Sequence, residues 1–166
     1  MESQLIEHAF GKRARLRVCG LLIKDDSLLM AKHRGLGEFG ELWLPPGGGV
    51  EYGSHTADNL KREFIEETGL SIKVDEFLFG FEFLQPPLHA IELFFKVEST
   101  GGKLEKGLDP ELPEDQQIIE EVRFVTFEEL RVMDKKRVHQ AFQYVDNPRQ
   151  IVNLRGFFNF ENNYLI

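Results

Sequence analysis

The chain has 166 residues and a mass of 19.2 kDa, which fits a single domain with its own hydrophobic core. Its formal net charge of −8 excludes a general nucleic-acid coat protein, which needs a basic surface, so we expect no nucleic-acid polymer as a partner. No signal-peptide pattern and no apolar run near the ~20 residues of a membrane span is evident, so we expect a cytoplasmic protein with no membrane partner.

The first predicted elements are two strands. Residues 14–24 alternate and then become uniformly apolar, as in a strand entering a sheet, and residues 28–32 form the second strand. Cys19, the single cysteine, lies in the first of these strands, which indicates a buried thiol and excludes an internal disulfide. Three glycines between positions 35 and 40, followed by Pro45-Pro46, predict an irregular loop that no helix can cross.

Residues 55–68 are predicted to form a helix that carries three carboxylates on one flank. Its start can be capped by Ser54 or Thr56, and Gly69 suits the left-handed position just past its end. At 100° per residue, Glu63 and Glu67 fall about 40° apart beside the apolar stripe, and Glu66 lies roughly 60° beyond Glu63.

A solvated acidic face is the common alternative for such a helix, but acids one turn apart repel each other unless a cation lies between them, which is one argument for a metal site. Hard oxygen ligands suit Mg²⁺ or Mn²⁺. The glycine-rich loop of residues 48–54, directly before the helix, can offer amides to phosphate oxygens and carbonyls to a metal.

Further strands and helices are predicted after this helix. The pattern predicts strands at residues 72–74, 77–83, 89–97 and 118–125, a loop at 107–117, and short helices at 127–133 and 138–145. Such an order indicates a mixed α/β domain with helices packed on a sheet. No repeat or interdomain linker is evident, so we expect one domain over residues 1–166.

The loop and helix together closely resemble the signature of the Nudix hydrolases. That signature is Gly, five residues, Glu, seven residues, and then Arg-Glu-hydrophobic-x-Glu-Glu-x-Gly-hydrophobic. Gly48 opens it, and seven later residues match in register: Arg62, Glu63, Phe64, Glu66, Glu67, Gly69 and Leu70. The flanking segments 28–34 and 43–48 are similar to the family's strand and its Trp-x-x-Pro-Gly-Gly segment.

The resemblance implies an α/β/α sandwich, in which a curved mixed sheet lies between helices, and Mg²⁺-dependent hydrolysis of a pyrophosphate bond, with Mn²⁺ as an alternative ion. The substrate is then a small nucleotide, a nucleoside diphosphate linked to another group. Glu63 and Glu67 are implied as principal metal ligands and the carbonyl of Gly47 as a further one. Glu66 is implied as a ligand or water-orienting base, with Arg62 as its positioner.

One position departs from the signature, because Ser54 stands where the family has its first glutamate. A hydroxyl cannot supply the charge of a carboxylate, so either Glu51, three residues earlier, partly replaces it or the site works with fewer ligands. The alternative hypothesis is therefore a nucleotide-binding or sensing module that keeps the fold but has weakened catalysis.

Residues outside the signature are candidates for substrate contacts and for the general base. Lys32, Arg34 and Gly48 could meet phosphates, and Phe39 or Phe83 could stack on a base. Glu111, Glu114 and Asp115 in the acidic loop are candidates for a base, against the alternative of a solvated loop. Pro86, which lies 16 residues past the signature, resembles the ADP-ribose pyrophosphatase branch, and nucleoside triphosphates are the competing substrates.

The C-terminal segment, residues 146–166, is rich in aromatic residues from Phe157 onward. Such a segment either covers the core of its own chain or forms a homodimer contact, and the sequence leaves both alternatives open.

Overall fold

The computed structural model describes residues 7–8, 11–108 and 112–159 of the chain. Its eight strands are β1 (Ala14–Lys24), β2 (Ser27–Arg34), β3 (Glu41–Leu44), β4 (Gly47–Gly49), β5 (Leu70–Gln85), β6 (Leu88–Gly102), β7 (Ile119–Thr126) and β8 (Gly156–Asn159). Helix α1 covers Thr56–Thr68 and helix α2 covers Phe127–Val132, and residues 7–8 are helical as well. Four 3₁₀ helices cover Glu114–Gln116, Lys135–Arg137, Gln140–Tyr144 and Pro148–Asn153.

The strands form one mixed sheet in the order β3-β2-β1-β6-β5-β8, with β4 paired to β1 and β7 paired to β2. Strand β1 is parallel to β6 and antiparallel to β2 and β4, and β5 is parallel to β8. Strand β1 lies in the middle of the sheet, next to β6. Because the glycine strand β4 pairs with β1, β4 lies at the centre of the sheet as well.

Side chains that alternate along β1 and β2 supply two hydrophobic cores, one on each face of the sheet. The α1 core contains Val18 and Leu29 together with the helix residues Leu60 and Phe64. The α2 core contains their neighbours on the opposite face, and its members from these elements are Cys19, Leu21, Leu28, Met30, Phe127 and Leu130. A sheet covered on both faces is the mixed α/β/α sandwich predicted from the sequence.

Several element predictions are confirmed at their centres and differ at their ends. Helix α1 ends at Gly69, whose φ of 71° is left-handed as predicted, but its N-cap is His55, and no side chain caps the start. The predicted strands 72–74 and 77–83 are one strand, β5, because three register shifts against β6 absorb the irregular sequence between them. The predicted helix at 138–145 is a short 3₁₀ helix over Gln140–Tyr144.

The C-terminal segment contributes a strand and a core residue as far as the structure describes it. Strand β8 pairs with Phe79–Glu82 of β5, and the Phe158 ring packs edge-on against Phe79 at 5.9 Å. Residues 160–166 lie outside the described residues, so the homodimer contact stays a prediction. Within the described ranges, no helix is long and apolar enough to cross a membrane.

Candidate active site

Strand β4 and helix α1 approach each other closely at two buried glutamates. The backbone amide of Gly47 donates a hydrogen bond to Glu67 Oε2 at 3.0 Å. A Cβ atom placed on Gly48 would lie 2.2 Å from the carboxyl carbon of Glu63, so only glycine leaves room for that carboxylate. Glu63 is 7% exposed and Glu67 is 4% exposed, which means that the fold holds two acids side by side with little solvent.

Arg62 links the acids of the helix to the glycine loop. Its Nη1 lies 2.7 Å from Glu66 Oε2, and its Nη2 lies 2.8 Å from Glu63 Oε1. Burial opposes the charge of Arg62, but its pKa is raised because Glu63, Glu66 and Glu51 surround it. Arg62 therefore stays charged and fixes both glutamates.

Ser54 is exposed in the loop before α1, and its amide donates to the carbonyl of Glu51 at 3.2 Å. The Glu51 carboxylate reaches Arg62 Nη2 at 3.5 Å. Glu51 thus contacts the acidic cluster through Arg62, and its partial replacement of the missing glutamate stays a prediction.

The three signature glutamates divide into an inner pair and an outer member. Glu63 and Glu67 face the glycine strand, whereas Glu66 is half-buried and binds Arg62. In the described part of the chain, no three His, Cys, Asp or Glu side chains converge as a ready metal cage. Two carboxylates and a nearby backbone carbonyl nevertheless fit Mg²⁺, which is usually bound through one or two carboxylates, retained waters and substrate phosphates.

A cleft of about 750 Å³ opens beside this pair. Gly47, Gly48, Glu63 and Glu67 line one end of it, and Phe83 and Pro86 line it as well. The volume is that of a site for a ligand of nucleotide size. The structure therefore brings the predicted residues Gly48 and Phe83 together with the inner glutamates.

Lys32 and Arg34 do not line this cleft, which differs from the prediction. Successive side chains of a strand point to opposite faces, and the residue of β2 that faces the cleft is His33. Lys32 instead forms ion pairs with Glu41 at 2.8 Å and with Glu120 at 3.3 Å.

Phe39, Glu114 and Asp115 do not line the cleft either. Phe39 lies under the Arg137 guanidinium at 4.9 Å. Glu114 and Asp115 are exposed on a 3₁₀ helix and do not line the cleft, and Glu111 lies outside the described residues.

A buried polar network that the signature does not contain lines the same cleft. Arg17 Nη2 donates to the carbonyl oxygen of Gly47 at 3.4 Å, and Arg17 Nε lies 3.4 Å from Glu92 Oε1. His139 Nε2 lies 2.6 Å from Glu92 Oε2. The Ala141 amide donates to His139 Nδ1 at 3.1 Å, so Nδ1 is an acceptor and Nε2 carries the proton that is donated to Glu92.

Electrostatics hold this network in defined charge states. Burial disfavours the Glu92 carboxylate, but His139 and Arg17 outweigh it and lower the pKa of Glu92. Burial and the charge of Arg17 lower the pKa of His33 to about 4, so its ring is neutral at physiological pH. The cleft thus presents a fixed cation, a fixed anion and a neutral imidazole.

Sequence reasoning missed these residues because they come from distant segments. One signal was present, since Glu92 is a single acid inside the apolar run Ala90–Phe95. An acid in a central strand indicates a buried side chain that forms an ion pair or a hydrogen bond with it. His139 carries no comparable signal.

Comparison with known proteins places the chain in a family. The sequence pattern of the NUDIX domain matches residues 13–147. An ADP-ribose pyrophosphatase of Methanocaldococcus jannaschii is 34% identical over 94 residues, which cover 55% of each chain. An m7GpppN-mRNA hydrolase NUDT17 of Danio rerio is 40% identical over 70 residues, which cover 40% of this chain and 23% of that protein. The chain thus spans about half of the first relative's length and about a quarter of the second's.

Solved structures share the fold at low sequence identity. A UDP-X diphosphatase superposes with a TM-score of 0.63 and 18% identity, covering 94% of this chain and 72% of that one. A MutT protein from Methanosarcina mazei Go1 superposes with a TM-score of 0.64 and 18% identity, covering 84% of this chain and 94% of the other. With the family pattern matched over most of its length and the fold shared, the chain belongs to the NUDIX domain family.

Proposed function

We propose that the protein hydrolyses the pyrophosphate bond of a nucleoside diphosphate linked to another group, in a reaction that depends on Mg²⁺ or Mn²⁺. The observation that carries this proposal is the buried pair Glu63 and Glu67 against the glycine strand, at one end of a nucleotide-sized cleft. ADP-ribose and nucleotide sugars are the proposed substrates, with nucleoside triphosphates as competitors, and the proposed setting is the cytoplasm.

Glu63, Glu67 and the carbonyl of Gly47 are the proposed metal ligands, because they combine charge and hard oxygen atoms at one place. A bound Mg²⁺ activates water and neutralises charge that builds on the phosphates. Glu66, held by Arg62 at the edge of the cluster, is proposed as a further ligand or as the group that orients the attacking water. Arg62 positions both Glu63 and Glu66.

The rest of the cleft offers a charged surface for the phosphates of the substrate and an apolar surface for its base. Arg15 and Arg17 line it and supply positive charge for phosphate oxygens, and Arg17 also contacts the carbonyl of Gly47. Phe83 and Leu88 offer apolar surface on which a base can pack. Pro86 lies in the same wall, and one relative carries the name ADP-ribose pyrophosphatase, which favours ADP-ribose among the candidates.

Ser54 motivates a second candidate function, a nucleotide-binding or sensing module with weakened catalysis. This candidate predicts that a nucleotide raises the melting temperature of the protein without release of product. The Arg62 contact of Glu51 favours the hydrolase, because it keeps an additional acid in the cluster despite the serine.

Glu67→Gln tests the metal assignment. The substitution keeps the shape and an oxygen acceptor for the Gly47 amide but removes the charge, so we expect kcat to fall about 100-fold or more with little loss of stability. Product formation is measured with Mg²⁺ or Mn²⁺ on a panel of ADP-ribose, nucleotide sugars, dinucleotides and triphosphates.

The matched control is Glu76→Gln on the exposed side of β5, where the carboxylate pairs with Arg155 and lies outside the cleft. We expect this variant to keep the activity of the unmodified protein. Full activity of Glu67→Gln would refute the metal assignment, and nucleotide binding without turnover by the unmodified protein would favour the sensing module.

A further inference from the structure

The Arg17 guanidinium donates a hydrogen bond to the carbonyl oxygen of Gly47, which is also a proposed ligand of the metal ion. Its Nη2 donates to Gly47 O at 3.4 Å, and its side chain is only 19% exposed. Burial opposes the charge of Arg17, yet its pKa is raised because the carboxylates of Glu92, Glu67 and Glu63 lie around it. The arginine therefore supplies positive charge to the two glutamates and to the carbonyl at the same time.

The opposite side of Arg17 is anchored by a rigid pair. Glu92 Oε1 forms an ion pair with Arg17 Nε at 3.4 Å, and Glu92 Oε2 lies 2.6 Å from His139 Nε2. The His139 backbone amide donates to Trp43 O on β3 at 2.9 Å, which ties the pair to the sheet. Arg17 thus lies between a fixed anion on one side and the metal ligands on the other.

A cation on Gly47 O conflicts with this arrangement. Mg²⁺ binds oxygen ligands at about 2 Å, so a metal on that oxygen and the Nη2 that donates to it would lie close together, and like charges at such separation in a buried site repel strongly. The guanidinium can yield by shifting toward Glu92, which holds it inside the cleft.

We propose that Arg17 and the divalent cation compete for the Gly47 carbonyl, and that cation entry releases the guanidinium to bind a substrate phosphate oxygen in the cleft. The phosphate contact rests on the proposed function, whereas the competition with the cation does not. Arg17 would therefore weaken metal binding in the substrate-free protein and strengthen substrate binding once the metal is in place.

This proposal predicts effects of opposite sign for one substitution. In Arg17→Gln the competing charge is absent, so we expect Mn²⁺ to bind the substrate-free protein roughly tenfold more tightly. The same variant loses the phosphate contact, so kcat/KM should fall about 100-fold even at saturating metal. A merely structural role as the counter-charge of Glu92 predicts weaker metal binding together with lower activity.

Mn²⁺ binding is measured by electron paramagnetic resonance without nucleotide. Arg15→Gln is the matched control, because it removes the same charge two residues along the same face of β1, and we expect it to change the Mn²⁺ affinity less than about threefold. Addition of guanidinium ion should partly restore the turnover of Arg17→Gln and weaken its Mn²⁺ binding.

A second variant keeps the proposal testable if Arg17→Gln does not fold. Glu92→Gln removes the anion that draws the Arg17 guanidinium away from the carbonyl of Gly47. The control is Glu82→Gln, which removes a carboxylate outside the cleft. We expect Mn²⁺ to bind the Glu92 variant about tenfold more weakly than the control. Equal or weaker Mn²⁺ binding by Arg17→Gln, or equal binding by the two glutamate variants, would overturn the competition alone. Absence of Mn²⁺ binding by the unmodified protein would overturn the proposed metal site as well.

Discussion

His33 is a buried histidine at the cleft, and its neutral ring makes the stability of the protein depend on pH. His33 is 6% exposed, and its Nδ1 donates a hydrogen bond to the carbonyl of Ala31 at 3.3 Å. Burial and the nearby charge of Arg17 lower its pKa to about 4, against 6.5 for a free histidine. The folded state therefore binds a proton less readily than the unfolded state.

Acidification should weaken the fold through this residue. Above pH 6.5 the ring is neutral in both states, and as the pH falls from 6.5 to about 4 only the unfolded state gains the proton, so stability decreases with falling pH. Between pH 7.5 and pH 5 the loss from His33 is about 2 kcal/mol of unfolding free energy.

The measurement is urea unfolding at both pH values for the unmodified protein and for His33→Gln. The variant should lose about 2 kcal/mol less on acidification, whereas His55→Gln, at an exposed position, should behave like the unmodified protein. An identical pH dependence of the His33 variant and the unmodified protein would show that the ring is not held neutral.

At the scale of elements, the close approach of β4 to α1 creates the inner carboxylate pair. Strand β4 is held by β1 through the pairs Val18–Gly48 and Cys19–Gly47, and α1 is held by its apolar residues in the α1 core. Neither element can retreat without loss of packing. A side chain at position 48 must therefore displace the Glu63 carboxylate.

Gly48→Ala tests this approach. The added methyl would lie 2.2 Å from the Glu63 carboxyl carbon, so we expect the carboxylate to swing away and metal-dependent turnover to fall about tenfold or more. Gly101→Ala is the control, because a Cβ there meets nothing within 4 Å. Turnover and Mn²⁺ affinity are measured for both variants, and unchanged values in Gly48→Ala would show that Glu63 is not needed at its present position.

Elements with a strong local pattern were predictable from the sequence, and elements defined by distant contacts were not. Helix α1 combines an apolar stripe with a terminal glycine, so its span and its acidic flank follow from local rules. Strand β5 is continuous only because β6 pairs with it through three register shifts, which no local pattern reveals. The short 3₁₀ helix at Gln140–Tyr144 depends on its packing against the sheet.

The residues of the candidate site likewise divide into those predictable from local sequence and those brought together by distant contacts. Its glycine loop and glutamates are contiguous in sequence and were found by their spacing. Arg17, Glu92 and His139 meet only because β1 and β6 are parallel neighbours, with Arg17 paired to Glu92, and because the segment after α2 returns to β3. The sequence does not show which face of β2 meets the cleft, so it could not indicate that His33 lines it and that Lys32 and Arg34 do not.

At the scale of the whole molecule, one sheet separates two cores, and the same strands contribute to both. Leu28 and Leu29 are adjacent on β2 and both 0% exposed, yet the first packs in the α2 core and the second in the α1 core. A strand cannot lose its packing on one face and keep its position on the other. The two cores should therefore unfold together, as expected for a single domain.

Leu28→Ala and Leu29→Ala form a matched pair for this prediction. Each removes the same buried side chain from one core, so each should cost about 2–5 kcal/mol, lower the melting temperature by about 10 °C, and leave a single transition. Val132→Ala, at a side chain that is 70% exposed, should shift the transition by less than about 2 °C. All three variants are measured by differential scanning calorimetry. A strand shared by both cores permits only joint unfolding, so two separate transitions in either leucine variant would show that the cores are independent units.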